Sequence, residues 1–259
     1  MACVTNVLCR GTTVAQRGAM RLYFLDFGSL RPVEAPEAVR SQRGYLIQTD
    51  EGENILVDTG VTSAYRDDWQ LLTTQAPIAI EPHRWGRGFD VPGQLELIGL
   101  TPADLDLVVI THSDLDHLGG LEYIPAHVPV LLSKAEYDLA VPGPSNPGAF
   151  DGWPARDYVL VEQEDAVLRP GVRLLSTPGH TPGHLSVMVD LPRSGRFVLA
   201  ADAIKMRDEV PSTGTDVDQA QASAARLRAL AAETGATLVY GHDGAQWYGE
   251  LRRAPEFYE

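Results

Sequence analysis

Residues 111–120 read THSDLDHLGG. His112, Asp114, Asp116 and His117 are all side-chain types that ligate divalent cations, and they fall within six positions of one another. The run ahead of them, LDLVVIT (105–111), is apolar and rich in branched residues, which predicts a buried strand. The cluster therefore starts where a strand stops. A metal site needs ligands held by rigid elements, and a strand end provides that.

The same arrangement recurs down the chain. His180 lies in TPGHTPGH (177–184), just after the strand-like VRLLST (172–177). Asp202 closes RFVLAAD (196–202), and His242 lies at the end of TLVYGHD (237–243), next to Asp243. A single histidine is more often a surface or hydrogen-bonded residue than a ligand. Four of the seven histidines sit in such motifs, however, and the joint pattern is far more specific than any member. Histidine combined with carboxylate suits Zn, Mn, Fe or Co, and the lack of a cysteine in the pattern argues against a thiolate site. Two such ions a few ångström apart can share a hydroxide, the pKa of water falling from about 15.7 to about 7.

Around these motifs the chain alternates strands and helices. RLYFLDF (21–27), GYLIQT (44–49) and NILVDTG (54–60) read as strands, with the acidic DEGEN turn making the last two a hairpin. Residues 61–94 show no clear periodicity. Thr101-Pro102-Ala103-Asp104 has capping-box spacing with proline at the first helical position. PVLLS (129–133) predicts a strand, followed by a helix that starts at Ser133 with Glu136 in the capping-box position. Residues 141–157 are crowded with proline and glycine and read as loop. LSVMVD (185–190) is a further strand. The clearest helix spans 216–233, with Val217, Ala220, Ala224, Leu227 and Ala231 on one face and Gly235 to end it.

Composition narrows the function. With 259 residues, the chain is long enough for one large domain, assigned to 20–259, behind a disordered leader at 1–19. A net charge of −14 disfavours nucleic acid as a partner, because a phosphate backbone needs a basic footprint. No apolar run reaches the length of a membrane span. The only cysteines, Cys3 and Cys9, can neither cross-link the main body nor build a structural zinc cage, and a cytoplasmic location is expected.

In LYFLDFGSL (22–30), ILVDTG (55–60), THSDLDHLGG, TPGHTPGH, the lone Asp202 and the ending GHDGAQWYGELRRAPEFY (241–258), the chain resembles the metallo-β-lactamase superfamily, and within it the N-acyl homoserine lactonase group. The resemblance implies an α/β (α+β) fold, a four-layer αββα sandwich with its metal site at the edge of the two sheets. It implies two divalent metal ions: His112, Asp114 and His180 on the first, Asp116, His117 and His242 on the second, and Asp202 bridging them. The usual first motif is H-x-H-x-D-H; here it reads H-x-D-x-D-H. The implied activity is metal-dependent hydrolysis of a lactone or related ester through a metal-bound hydroxide. Asp116 is the candidate to carry the proton to the leaving alkoxide. Other hydrolytic readings are a thioester or a β-lactam. The alternative from another class is a non-haem di-iron redox protein of the same fold.

Lactonases of this group commonly place a tyrosine three residues after the bridging aspartate, and here that position is Lys205. It is either a cation for the carbonyl oxygen or a solvent-exposed side chain. His184 reads as a packing or supporting residue, and His83 and His127 as surface or loop. Trp69, Trp85, Phe89, Phe150 and Trp153 either bind an apolar substrate tail over the metals or pack loops and a homodimer contact.

Overall fold

The computed structural model describes residues 19–73, 79–140, 156, 158–162 and 164–259. The strands are β1 Arg21–Pro32, β2 Arg40–Gln48, β3 Asn54–Val57, β4 Ile80–Arg84, β5 Leu107–Val109, β6 Val130–Ser133, β7 Tyr158–Val161, β8 Ala166–Arg169, β9 Val172–Ser176, β10 Leu185–Leu191, β11 Gly195–Leu199 and β12 Thr237–Val239. The helices are α1 Ser63–Asp67, α2 Gln70–Thr73, α3 Val91–Glu96, α4 Leu115–Leu118, α5 Lys134–Ala140, α6 Val217–Thr234 and α7 Gly244–Gly249.

Among the described residues the strands form two sheets, ordered β4-β1-β2-β3-β5-β6-β7 and β12-β11-β10-β9-β8. One apolar cluster lies between them, joining Phe24, Tyr45, Ile55 and Val109 of the larger sheet to Leu174, Val187 and Phe197 of the smaller. A second covers the outer face of the larger sheet, where Tyr23, Leu25 and Phe27 meet Val91 and Leu95 of α3. A third packs Ala224 and Leu227 of α6 on the outer face of the smaller sheet. These are four layers, helix, sheet, sheet, helix. Alternate residues of β1 enter different layers, so both its faces are buried. That explains a continuous apolar run where a half-exposed strand would alternate. Burying each large apolar side chain contributes about 1.5–3 kcal/mol.

The pairing also sets where the loops emerge. β3 runs parallel to β5, and β11 parallel to β12. Residues following each parallel pair therefore leave from the same end, Asp58 beside His112 and Asp202 beside His242. The Leu185 N–H donates to the Thr111 carbonyl at 2.9 Å, joining the two sheets at this edge.

Several expectations are amended. The 61–94 stretch contains α1, α2, β4 and the start of α3. In α6, Val217 is exposed and Ser223 takes a place on the buried face, its hydroxyl donating to the Pro178 carbonyl at 2.7 Å. Asp216 caps this helix and Gly235 ends it at φ 64°. The leader lies outside the described residues apart from Ala19, as does the 141–157 loop apart from Arg156. No helix among the described residues is long and apolar enough to cross a membrane.

Candidate metal centre

The ligand-type residues singled out from the sequence converge at the sheet edge. One atom each of His112, Asp114, His180 and Asp202 lies within 4.8 Å of the others, and the same holds for Asp116, His117 and His242. Asp202 joins the two groups. Its Oδ2 is 3.4 Å from His180 Nε2 and 3.9 Å from His112 Nε2, while its Oδ1 is 3.0 Å from His242 Nε2 and 3.3 Å from His117 Nε2. Asp114 Oδ2 sits 3.0 Å from His180 Nε2 and 3.5 Å from His112 Nε2, so this short side chain does reach the first group. Asp116 Oδ2 is 3.6 Å from His242 Nε2.

Three of these histidines are held by the ring nitrogen that faces away from the centre. His117 Nδ1 donates to Asp58 Oδ2 at 2.8 Å. Thr111 donates to the same carboxylate twice, from its N–H to Oδ1 and from its hydroxyl to Oδ2, both at 2.8 Å. That hydroxyl in turn accepts from His112 Nδ1 at 3.0 Å. Asp58 thus sets the tautomer of both histidines and leaves each Nε2 with its lone pair toward the centre. His242 Nδ1 donates to the Ser41 carbonyl at 2.9 Å. The buried Arg43 donates to the carbonyls of Tyr240 and Asp243 on either side of His242.

Asp58 is a supporting residue that the sequence reading does not single out. The available signal was an acid closing the buried strand ILVDTG. Asp58, at φ 59°, and Ala201, at φ 46° just before Asp202, are the non-glycine residues with left-handed backbone among those described. Strain of this kind, about 1–3 kcal/mol each, collects where a side chain must be aimed. The glycine pair of THSDLDHLGG serves close approach: a side chain on Gly120 would run into the Thr59 backbone. His184 is a supporting residue, as expected. Its Nε2 accepts the Asp202 N–H at 3.1 Å and its Nδ1 donates to Thr177 Oγ1 at 2.8 Å. Burial, with His112 and His180 nearby, pushes its pKa well down.

The donor set fits divalent cations. His112 Nε2, His117 Nε2 and Asp202 Oδ1 are buried and make no hydrogen bond, and His117 Nε2 lies 3.3 Å from Asp202 Oδ1. Orphaned polar atoms of this kind need a partner, and two imidazole lone pairs with a carboxylate oxygen suit a cation. Electrostatics agree. Burial opposes charging His117, yet the carboxylates of Asp116, Asp58 and Asp202 raise its pKa well above the ordinary value. Burial also opposes ionising Asp202, but His242 and His117 hold it well below the usual carboxylate range.

Lys205 points into this centre, with Nζ 3.3 Å from Asp202 Oδ2. Burial works against its charge, but Asp202 and Asp114 outweigh that and raise its pKa. The aromatic residues are less central. Trp85 donates its indole N–H to the Arg66 carbonyl at 3.0 Å, and Phe89 lines a separate cleft of about 520 Å³ with Asp26 and Arg84. Trp69 is half-buried beside α2, and Phe150 and Trp153 lie outside the described residues. His83 belongs to β4 and bonds Ser29 Oγ at 3.0 Å, and His127 is an exposed turn residue.

The chain matches the metallo-beta-lactamase superfamily over residues 39–242. It is 33% identical over 210 residues to an N-acyl homoserine lactonase of Bacillus cereus, covering 79% of this chain and 82% of that one. The N-acyl homoserine lactonase of Azorhizobium caulinodans is 31% identical over 192 residues, covering 64% and 68%. A solved N-acyl homoserine lactone hydrolase, with N-hexanoyl-L-homoserine bound at its catalytic metal center, has a TM-score of 0.79 at 28% identity over 93% of this chain and 99% of that one. A dizinc quorum-quenching lactonase shares the fold at a TM-score of 0.65 and 18% identity, covering 94% of each chain. By sequence and by fold, this chain belongs to the metallo-beta-lactamase superfamily.

Proposed function

We propose that the chain is a metal-dependent hydrolase that opens a lactone of the N-acyl homoserine lactone class or a closely related ester. The observation that carries this reading is Asp202, whose two oxygens face different histidine groups, 3.4 Å from His180 Nε2 on one side and 3.0 Å from His242 Nε2 on the other. The substrate class comes from the lactonase relatives. In this reading His112, Asp114 and His180 hold one divalent ion, Asp116, His117 and His242 hold a second, and Asp202 is shared. Such ions supply Lewis acidity and lower the pKa of water from about 15.7 to about 7. Zn, Mn, Fe and Co all suit the donors. Asp114 in place of a histidine adds one negative charge and moves the preference of the first position toward Mn or Fe.

The chain's own groups divide the remaining work. Lys205, kept cationic by Asp202 and Asp114, donates a hydrogen bond to the substrate carbonyl oxygen as that oxygen gains charge. The Asp116 side chain is only 26% exposed and stands at the mouth of the second group, placed to pass a proton to the leaving alkoxide. Opening the ring turns a neutral lactone into a carboxylate, which an acidic protein of net charge −14 repels on release.

A panel of lactones, esters and thioesters, run on metal-reconstituted protein, tests this. Ring opening of acyl homoserine lactones is expected to lead the panel, and His117→Ala and His242→Ala should each lose about 100-fold or more, since even residues that only orient metal ligands cost 10- to 100-fold. Wild-type rates in both variants would remove the hydrolysis from this centre.

A further inference from the structure

Glu136 is fully buried, and its carboxylate pairs with no lysine, arginine or histidine among the described residues. A carboxylate taken out of water without a cation must be repaid by hydrogen bonds. One half of the expected capping box forms, with Ser133 Oγ accepting the Glu136 N–H at 3.1 Å. The carboxylate does not turn back to Ser133. Oε1 accepts the N–H of Ser113 at 2.7 Å and also its hydroxyl. Oε2 accepts the N–H of Gly183 at 3.2 Å.

Those donors belong to two different ligand loops. Ser113 stands between His112 and Asp114. Gly183 is three residues past His180, and its neighbour His184 holds the Asp202 N–H. His112, Asp114 and His180 therefore each lie within three residues of a backbone donor to one buried carboxylate. Gly183 is small for the same reason, because a side chain there would meet Ser133 Oγ and the Glu136 backbone. The second group has other supports: Asp58 bonds His117 directly and reaches His112 only through Thr111, and Ser41 with Arg43 holds His242.

We propose that Glu136 is a positioning residue that fixes the separation of the 112–114 and 180–184 loops and thereby sets the affinity of the first metal position alone. The inference rests on the two-ion reading given above. A carboxylate suits the task because each oxygen serves one loop with acceptor capacity only. In Glu136→Gln one of the two loops would face an amide N–H₂, which donates where acceptance is needed.

Cobalt(II) titrations against a competing chelator test this on the purified full chain. His180→Ala and His242→Ala each strip one group and so label the two binding steps. Glu136→Gln should weaken the step lost in His180→Ala by about 10- to 100-fold and leave the other unchanged. Ser113→Ala, which keeps the backbone donor and removes the hydroxyl, should weaken the same step by less. It decides the matter should Glu136→Gln fail to fold. Unchanged affinities in the folded variants, or equal loosening of both steps, would overturn the proposal. Wild-type protein with fewer than two binding steps would instead overturn the reading on which it rests.

Discussion

Asp202→Ala should reduce lactone opening by about a thousandfold or more and strip metal from both positions at once. Removing one transition-state donor from an active site costs about 10²–10³ in rate. This substitution removes the carboxylate that faces His112 and His180 through one oxygen and His117 and His242 through the other. It also leaves Lys205 without its 3.3 Å partner inside a largely covered pocket. Steady-state rates and metal content, measured on the same reconstituted sample, check it. A variant that keeps one ion at wild-type affinity would show that Asp202 serves a single position.

Asp58→Ala should act differently, through stability as well as through the metals. The Asp58 carboxylate accepts three hydrogen bonds in the interior, from the Thr111 N–H, the Thr111 hydroxyl and His117 Nδ1. Its removal leaves those donors buried and unpaired, and breaking such a network costs about 3–5 kcal/mol. Urea unfolding of metal-free protein reads that loss without interference from the ions. In reconstituted protein the His117 ring loses its tautomer control directly and the His112 ring only through Thr111, so affinity should fall about 10- to 100-fold at the second position and by less at the first. Asp58→Asn retains the volume and one acceptor oxygen, so it should be the milder of the two. Wild-type stability and wild-type metal binding in Asp58→Ala would show that this carboxylate has no orienting role.

The ligand-type residues were legible because they cluster in the segments just after strands, and strand ends are where such side chains can be held. The strands were legible for a related reason. β1, β3 and β5 are buried on both faces and read as unbroken apolar runs. β4 gave no such signal: Ile80-Glu81-Pro82-His83-Arg84 is an edge strand, polar and proline-bearing, recognisable only from its pairing with β1. β8, four residues long, is likewise defined by its antiparallel pairing with β9. Supporting residues were the least visible. Glu136 has the spacing of a helix cap and does accept that role in part, but its carboxylate answers donors at 113 and 183, remote in sequence. Asp58 could be placed at the end of a strand, yet its partners are at 111 and 117. Long-range satisfaction of a buried acid leaves no local pattern to read.

A two-ion centre divided by Asp202 can be counted by elemental analysis of purified, reconstituted protein. The expected result is about two divalent ions per chain, the number that a two-metal hydrolytic site requires. One ion or fewer, found consistently after reconstitution with Zn, Mn, Fe and Co in turn, would contradict it.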